Sequence, residues 1–256
     1  MARTVLITGA GSGFGKLTAL ALAARGHRVL ATCETDAQVT ALAAEAPQLE
    51  VRRLDVTTDD VEWAREVEID VLINNAGLGQ TGPIADVPID RVRRLFEVNV
   101  FGTLRLTQVV APQMVARGSG RILILSSIAG HLVAPTFGPY SMTKFALEAM
   151  GKALRAELAP AGVDVALVNP GPYATGFNDT MAASMWEWFG DGATSAAGTE
   201  IFKITGEFVV TGQLDPKEVA DALVALVEAD RTAESNFIPA ELVGLVSPPQ
   251  VTVPQP

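Results

Sequence analysis

The 256-residue sequence has only one cysteine, Cys33, and no run of about 18 consecutive apolar residues. One cysteine cannot form an intramolecular disulfide, so the fold does not depend on an oxidising compartment. The N-terminal residues lead directly into a strand-like run, without the apolar segment and cleavage site of a signal peptide. We therefore expect a cytoplasmic protein in which Cys33 is a small buried side chain.

Positive charge is also scarce, with 19 Lys or Arg against 29 Asp or Glu and a formal net charge of -10. Most of the deficit follows residue 175, where 3 basic residues face 12 acidic ones, whereas residues 1–175 carry 16 and 17. Phosphate backbones and anionic lipid surfaces would be repelled by such a chain. The sequence therefore predicts neither nucleic acid nor a membrane as a partner.

Short β-branched runs alternate with longer stretches of helical periodicity along a chain that is 48% apolar and 19% charged. The predicted strands are Thr4–Ile7, Arg28–Cys33, Leu49–Leu54, Asp70–Ile73, Arg121–Leu125 and Val163–Val168. The predicted helices between them are Leu17–Arg25, Asp36–Glu45, Asp59–Glu66, Ile89–Arg117 and Pro139–Leu158. Strict alternation favours an α/β fold: a single-domain, Rossmann-type, doubly wound parallel sheet with helices on both faces.

The pattern changes after the sixth predicted strand. Residues 176–212 are rich in Met, Trp and Phe without a clear strand, which indicates an insertion over the carboxyl edge of the sheet. Asp215 and Pro216 predict the N-cap and first residue of a helix that ends near Glu228, and Asn236–Ile238 predicts an edge strand. One domain is expected over residues 1–245, followed by a proline-rich tail over 246–256.

A glycine-rich segment, Thr8-Gly9-Ala10-Gly11-Ser12-Gly13-Phe14-Gly15, lies between the first predicted strand and the first predicted helix. Glycine lets the backbone turn sharply and approach a pyrophosphate, whose charge is stabilised by the free amides of a helix N-terminus. A P-loop does not fit, because Leu17 occupies the position of the Ser or Thr that would bind magnesium. The segment favours dinucleotide binding.

Glu34 follows the second predicted strand, where the adenosine ribose of a dinucleotide would lie. A carboxylate there can accept hydrogen bonds from the ribose hydroxyls, and it would repel a 2′-phosphate. Because no Lys or Arg adjoins Glu34 in the sequence, NAD is favoured and NADP is the alternative. A solvated surface glutamate is the other interpretation of this residue.

Tyr140 and Lys144 lie one helical turn apart in the fifth predicted helix, and Ser127 follows the fifth predicted strand. A phenol with an ordinary pKa of about 10 is a poor base at neutral pH, but a nearby ammonium and an oxidised nicotinamide ring favour the phenolate. Tyr140 could then exchange a proton with an alcohol or a carbonyl. Taken alone, this spacing is also common on solvated helix faces.

These residues belong to an ordered series of motifs that resembles the short-chain dehydrogenase/reductase family across residues 4–175. The glycine-rich segment is similar to the family's cofactor turn, and Tyr140 follows Ser127 by 13 residues, which is the family's usual spacing. The remaining motifs are Leu54-Asp55-Val56, Asn74-Asn75-Ala76-Gly77, Glu97-Val98-Asn99-Val100, and Asn169-Pro170-Gly171-Pro172 with Thr175.

The resemblance implies an NAD(P)-dependent oxidoreductase that transfers hydride between nicotinamide and a secondary alcohol or ketone. It implies that Tyr140 is the general acid/base and that Ser127 hydrogen-bonds the substrate oxygen. Lys144 would hold the nicotinamide ribose and lower the Tyr140 pKa, and Asn99 would place a water that connects Lys144 to solvent. The implied cofactor contacts are Gly9, Gly11, Ser12, Gly13, Phe14, Gly15, Glu34, Asp55, Val56, Asn75, Ala76, Gly77, Tyr140, Lys144, Pro170, Gly171, Tyr173 and Thr175; no metal ligand is predicted.

The sequence also departs from the family's pattern. Phe14 and Tyr173 stand where smaller aliphatic residues are usual, and Cys33 stands where the family has a second-strand Asp, with Glu34 one residue later. Only 18 residues separate Asp55 from Asn74, which implies a shortened third crossover helix.

The resemblance implies that residues 176–212 close over the substrate as a lid. Because this lid is apolar and poor in Lys and Arg, it predicts a bulky, uncharged, hydrophobic alcohol or ketone as substrate, since phosphate or coenzyme A groups would require Arg or Lys. The same residues could instead only pack the lid or a subunit interface, and His131 could touch substrate or have a structural role. A non-catalytic NAD-binding regulator and a sugar-nucleotide epimerase or dehydratase are the alternative functions. The resemblance implies a homotetramer or homodimer joined through the two long helices.

Overall fold

The computed structural model describes residues 1–190, 206 and 210–246, and these contain a seven-stranded sheet in which every pairing is parallel. The strands are β1 (Thr4–Ile7), β2 (Arg28–Cys33), β3 (Glu50–Arg53), β4 (Val71–Asn74), β5 (Gly120–Leu125), β6 (Val163–Pro170) and β7 (Ser235–Ile238). Their order across the sheet is β3-β2-β1-β4-β5-β6-β7. The order reverses between β1 and β4, and open α/β sheets bind ligands at the carboxyl ends of strands beside such a point.

Helices cover both faces of the sheet, as predicted. The helices are α1 (Gly13–Ala24), α2 (Asp36–Glu45), α3 (Ile89–Phe96), α4 (Thr103–Arg117), α5 (Gly138–Leu158), α6 (Phe177–Ala183) and α7 (Lys217–Glu228). In β1, Val5 and Ile7 join the core formed with α1, α2 and α7, while Leu6 joins the core formed with α4 and α5. Strand side chains alternate between faces, so a strand buried on both sides must be apolar throughout. The doubly wound fold is confirmed.

The predicted helix over Ile89–Arg117 has the predicted bounds, but it is not a regular α-helix throughout. A π-helical segment, Glu97–Gly102, separates α3 from α4 and contains Asn99. Such segments widen a helix by one residue, often at functional sites, and they leave the apolar pattern on either side intact. The interruption therefore had no clear signal in the sequence.

The third crossover is short, as the 18-residue spacing implied. The predicted helix over Asp59–Glu66 is reduced to one 3₁₀ turn, Glu62–Arg65. Since this connection cannot cover the sheet with a full helix, Trp63 packs beside the core of α4 and α5 instead.

Beyond β6, α6 and a 3₁₀ turn (Ser184–Glu187) form the described part of the predicted lid. Residues 191–205 and 207–209, including Phe202 and Phe208, lie outside the described residues, as does the tail from residue 247. Helix α7 begins one residue later than predicted, although Asp215 Oδ1 accepts a hydrogen bond from the Lys217 amide at 2.9 Å, as an N-cap would. A 3₁₀ segment that was not predicted, Ala240–Leu245, follows β7.

Cys33 is buried, with 1% of its surface exposed, and burial raises the pKa of its thiol. Of the helices in the described part of the chain, none is long and apolar enough to cross a membrane.

Candidate active site

A cavity of about 1130 Å³ opens at the carboxyl ends of the central strands. It runs from the glycine-rich segment to Ser127 and Tyr140, and most of the predicted site residues line it. Those residues are Gly9, Gly11, Ser12, Gly13, Phe14, Glu34, Asp55, Val56, Asn75, Ala76, Gly77, Ser127, Tyr140, Lys144, Pro170, Gly171, Tyr173 and Thr175. Gly15 and Asn99 are not among the described residues that line it.

The glycine-rich segment is held against the end of β4. Gly9 has φ +67, and a side chain there would place its Cβ 2.9 Å from the Ala76 Cα, so the close approach requires glycine. The Asn75 side-chain amide donates to Thr8 O at 2.8 Å and to Gly9 O at 3.2 Å. The Asn75 backbone amide also donates to Thr8 Oγ1 at 3.0 Å, so Asn75 fixes the shape of the turn through both its side chain and its backbone.

The two bulky departures from the family's pattern contact each other. The rings of Phe14 and Tyr173 meet edge to face with centroids 5.6 Å apart. Tyr173 is 1% exposed, and its hydroxyl donates to Glu218 Oε2 at 2.8 Å. Burial raises the pKa of Tyr173, and the Glu218 carboxylate raises it further, so Tyr173 is a neutral packing group beneath the cavity.

Glu34 lies at the opposite end of the cavity from Tyr140, and the structure adds a cation beside it that the sequence order concealed. Arg94, from α3, places Nη2 3.8 Å from Glu34 Oε1 and donates through Nη1 to Thr57 Oγ1 at 3.1 Å. Partial burial acts to raise the pKa of Asp55, but hydrogen bonds from Thr57 and the charge of Arg94 bring it below its usual value. This end of the cavity therefore carries two carboxylates and one guanidinium.

Ser127 and Tyr140 approach each other from β5 and α5. Ser127 has an extended backbone and accepts a hydrogen bond from the Ala129 amide at 3.1 Å, which directs its hydroxyl into the cavity. Tyr140, in the first turn of α5, is 7% exposed. Burial raises the pKa of the Tyr140 phenol, and the hydrogen bond with Ser127 acts in the opposite direction. Without a bound cofactor the phenol is therefore protonated at neutral pH, and the lowering of its pKa by Lys144 and a nicotinamide ring stays a prediction.

Lys144 lies one turn further along α5, and its side chain is 6% exposed. Its Nζ donates to Leu125 O at 2.7 Å and lies 5.5 Å from the centre of the Tyr140 ring. Burial lowers the pKa of Lys144 to about 8, while the charge of Glu148 acts to raise it. The structure therefore brings Tyr140 and Lys144 together, as predicted, and the lowered pKa of Lys144 lies close to neutral pH.

Asn99 braces the cavity wall. Its side chain accepts from the Leu78 amide at 2.7 Å and donates to Leu78 O at 2.9 Å and to Thr143 Oγ1 at 3.0 Å. These hydrogen bonds tie the π segment to α5 and to the loop after β4, and Asn99 is 1% exposed. The water-placing role implied by the resemblance stays a prediction.

The end of the cavity beyond Tyr140 is apolar. Phe137, Tyr140 and Met181 form a buried cluster against which Ala129 and Phe177 pack, and the rings of Tyr140 and Phe177 are 5.7 Å apart. Met181 belongs to the lid segment that the sequence analysis singled out. Leu242 and Leu245, from the 3₁₀ segment after β7, also line the cavity. Neither was predicted, because nothing near them in the sequence indicates that the chain returns to the site.

His131 points away from the cavity. Its Nε2 lies 3.2 Å from Glu148 Oε2, and its ring packs on Phe237 with centroids 5.0 Å apart. Of the two alternatives for this residue, the structure favours the structural one.

The cavity fits a nicotinamide dinucleotide by its own chemistry. Amides at the start of α1 suit a pyrophosphate, because the first N–H groups of a helix have no partners within the helix. Glu34 and Asp55 can accept hydrogen bonds from hydroxyl and amino groups of an adenosine, and a lysine and a phenol stand at the far end. Fold and site together define a dinucleotide-binding oxidoreductase of the Tyr and Lys type.

Comparison with known proteins agrees with this class. A family model described as short chain dehydrogenase matches residues 3–186. The chain belongs to the short-chain dehydrogenase family.

Two relatives extend the similarity over most of the chain. The uncharacterized oxidoreductase YusZ of Bacillus subtilis is 37% identical over 238 residues, which cover 88% of this chain and 84% of YusZ. Human retinol dehydrogenase 8 is 32% identical over 246 residues, covering 90% of this chain and 79% of the relative.

Solved structures give the same result. A short-chain dehydrogenase from Streptomyces avermitilis superposes with a TM-score of 0.80 at 34% identity, covering 96% of this chain and 91% of that one. A gluconate 5-dehydrogenase from Burkholderia cenocepacia, solved in complex with NADP and tartrate, has a TM-score of 0.77 at 25% identity, covering 94% and 95%.

Proposed function

We propose that this protein is an NAD(H)-dependent oxidoreductase that interconverts a bulky, uncharged, hydrophobic secondary alcohol and its ketone. The observation that carries the proposal is the position of Ser127, Tyr140 and Lys144 in one cavity, between a dinucleotide-type turn and an apolar pocket. A bound nicotinamide would accept or donate the hydride. The chain's own residues bind the substrate, move its proton and exclude water.

Tyr140 is the proton-transfer group of the proposed reaction. Its phenol is protonated in the unliganded chain, which suits donation to a ketone oxygen, and a cation close to the ring favours the phenolate needed to accept a proton from an alcohol. Ser127 donates its hydroxyl hydrogen to the substrate oxygen, where negative charge develops. Lys144, held on Leu125 O, supplies positive charge beside Tyr140 and a donor for the ribose.

The preference for NAD rests on Glu34. Its carboxylate accepts hydrogen bonds from ribose hydroxyls and opposes a 2′-phosphate. Arg94 partly offsets this opposition, but its guanidinium is engaged by Glu34 and Thr57 and is not directed freely into the cavity. We therefore expect a preference for NAD that is moderate in size and sensitive to both side chains.

The hydrophobic substrate is supported by the lining beyond Tyr140. Phe137, Phe177, Met181 and Leu242 present apolar surface, and among the described lining residues the charged ones are Glu34, Asp55 and Lys144. A substrate with a phosphate or carboxylate would meet no Arg at that end. Human retinol dehydrogenase 8, which is similar over 90% of this chain, is named for a hydrophobic alcohol, and this supports the apolar character of the substrate although retinol is a primary alcohol.

We propose in addition that the protein is a homodimer or homotetramer joined through α4 and α5. Phe101, beside α4, and Met142 and Phe145, on α5, are each more than 40% exposed in the single chain, and burial against a second copy would remove this apolar surface from water. Size-exclusion chromatography with light scattering tests this: a monomer at micromolar concentration would contradict it.

The proposed activity is tested by mixing the protein with NAD or NADP and a panel of hydrophobic secondary alcohols, such as 1-phenylethanol and a hydroxysteroid, and following reduced nicotinamide absorbance. The variant Tyr140→Phe keeps the ring and loses the proton-transfer group. It should lose turnover by at least about a hundredfold while binding NADH as the wild type does. Turnover at the wild-type rate in Tyr140→Phe would refute the assignment.

A further inference from the structure

A buried carboxylate lies one helical turn beyond Lys144. Glu148 is 4% exposed, and it has no contact with substrate or cofactor in the proposed reaction. Burying a charged carboxylate costs several kcal/mol unless hydrogen bonds and an opposite charge compensate. The surroundings of Glu148 must therefore supply that compensation.

Two segments of the site flank this carboxylate. Asn169, at the end of β6, donates its side-chain amide to Glu148 Oε1 at 2.6 Å. His131, in the turn that follows Ser127, places Nε2 3.2 Å from Oε2. Gly130 lets this turn approach, since a Cβ there would lie 3.0 Å from the Glu148 Cγ. The carboxylate is thus fixed by the segments that carry Ser127 and Pro170.

Lys144 is a buried cation whose charge also requires compensation. Its ammonium is 6% exposed and donates to the carbonyl of Leu125, which is a dipole and not an anion. Burial lowers the pKa of Lys144 to about 8, and the charge of Glu148 is what raises it. The titratable groups that face this pair are Tyr140, on α5, and His131, on the turn after β5; Asn169, from β6, is neutral.

We propose that Glu148 is a positioning residue whose buried carboxylate, hydrogen-bonded by Asn169 and lying beside His131, is the counter-charge that keeps Lys144 an ammonium at neutral pH. The proposal rests on the proposed function only for its consequence, since an ammonium at Lys144 is what favours proton acceptance by Tyr140. The carboxylate itself contacts neither the cavity nor a substrate, so it acts through Lys144.

The direct test measures the charge of Lys144 in the protein without cofactor or substrate. Reductive methylation with formaldehyde and a borane modifies the neutral amine, so the labelling of Lys144 against pH, followed by mass spectrometry, gives its titration midpoint. Glu148→Gln keeps the shape and removes the charge. We expect its Lys144 midpoint to fall by at least about one pH unit, while that of Lys152, exposed on the same helix, stays unchanged.

Two further variants separate charge from shape. Glu148→Asp keeps the charge and should hold the midpoint closer to the wild-type value than Glu148→Gln does. Glu157→Gln removes an exposed carboxylate from the same helix and should have no effect on Lys144. Coincident midpoints in the wild type and Glu148→Gln would overturn the proposal. A wild-type midpoint below about pH 7 would overturn it as well, and that measurement needs no variant to fold.

Turnover provides a second measurement with a separate outcome. With 1-phenylethanol and NAD, the alkaline limb of kcat in Glu148→Gln should move to lower pH by the same amount as the methylation midpoint, with an unchanged KM for the alcohol. If the methylation midpoint shifts and the limb of kcat does not, the counter-charge role of Glu148 stands and the role of Lys144 in the proposed function is refuted.

Discussion

Glu34→Gln is the substitution that most sharply tests how this site selects its cofactor. It removes one negative charge from the end of β2 and leaves the size of the side chain and its ability to accept hydrogen bonds. Arg94, 3.8 Å from the carboxylate, remains in place and loses its partner. A 2′-phosphate would then meet a free guanidinium in place of an ion pair, so binding of NADPH should tighten while binding of NADH changes little.

The magnitude follows from the exposure of the pair. Two unit charges about 4 Å apart interact by about 1 kcal/mol in water and about 4 kcal/mol at an effective dielectric of 20. The side chains of Glu34 and Arg94 are 56% and 46% exposed, which places them towards the aqueous limit. A change of about 1–2 kcal/mol corresponds to a gain of roughly five- to thirtyfold in the affinity for NADPH relative to NADH.

Titration of nicotinamide fluorescence measures both dissociation constants without any knowledge of the substrate. Arg94→Gln is the matched variant, and it should shift the ratio in the opposite direction by weakening NADPH binding. Both shifts should shrink at high salt, because exposed charges are screened. An unchanged ratio in Glu34→Gln would refute the placement of the ribose at Glu34, and tighter NADPH than NADH binding by the wild type would refute the proposed preference.

Three further predictions concern the pocket, the pH response and the framework. Met181→Ala removes apolar surface from the wall beside Tyr140 and should raise KM for a hydroxysteroid about tenfold or more with little effect on NADH binding; an unchanged KM would contradict the hydrophobic pocket. Lys144 has a lowered pKa of about 8, so its ammonium is present below that value and lost above it, and kcat for alcohol oxidation should stop rising, or fall, above about pH 8; a rate that keeps rising steeply beyond it would exclude an essential ammonium. Arg121→Met should lower the free energy of unfolding by about 3 kcal/mol, because Arg121 is 4% exposed, pairs with Asp164 at 3.0 Å and donates to the carbonyl groups after α7. Urea denaturation measures this, with Arg93→Met as an exposed control. Equal free energies of unfolding for Arg121→Met and Arg93→Met would refute the prediction.

Most of the fold could be read from the sequence because its signals are local. The part of a strand that is buried against the cores on both faces must be apolar, and Val5–Ile7 in β1 and Ile122–Leu125 in β5 show this directly in their residues. The shortened third crossover followed from counting residues between Asp55 and Asn74. The π segment around Asn99 escaped detection because inserting one residue into a helical turn leaves the composition and the flanking periodicity unchanged.

The candidate site divides in the same way. Ser127, Tyr140 and Lys144 were assigned through their resemblance to the family's motifs. Their proximity was expected because a helix places residues four apart on one face and a parallel sheet brings the carboxyl ends of its strands to one edge. The raised pKa of the Tyr140 phenol could not be predicted from residue spacing. It depends on how completely Tyr140 is buried, which is set by Phe137, Met181 and Phe177 packing around it.

The sequence by itself determined the family, the sheet, the glycine-rich turn and the adjacency of Tyr140 and Lys144, because each is encoded within a turn, a strand or a helix. Only the tertiary structure decided that Arg94 faces Glu34, that Leu242 returns to line the cavity, and that Glu148 meets Asn169 and His131 behind Lys144. These contacts join residues that are far apart in the chain. Their distances are set by how helices pack across the sheet, for which no local pattern exists, and the charges they bring together are the basis of the proposed cofactor preference and of the proposed charge of Lys144.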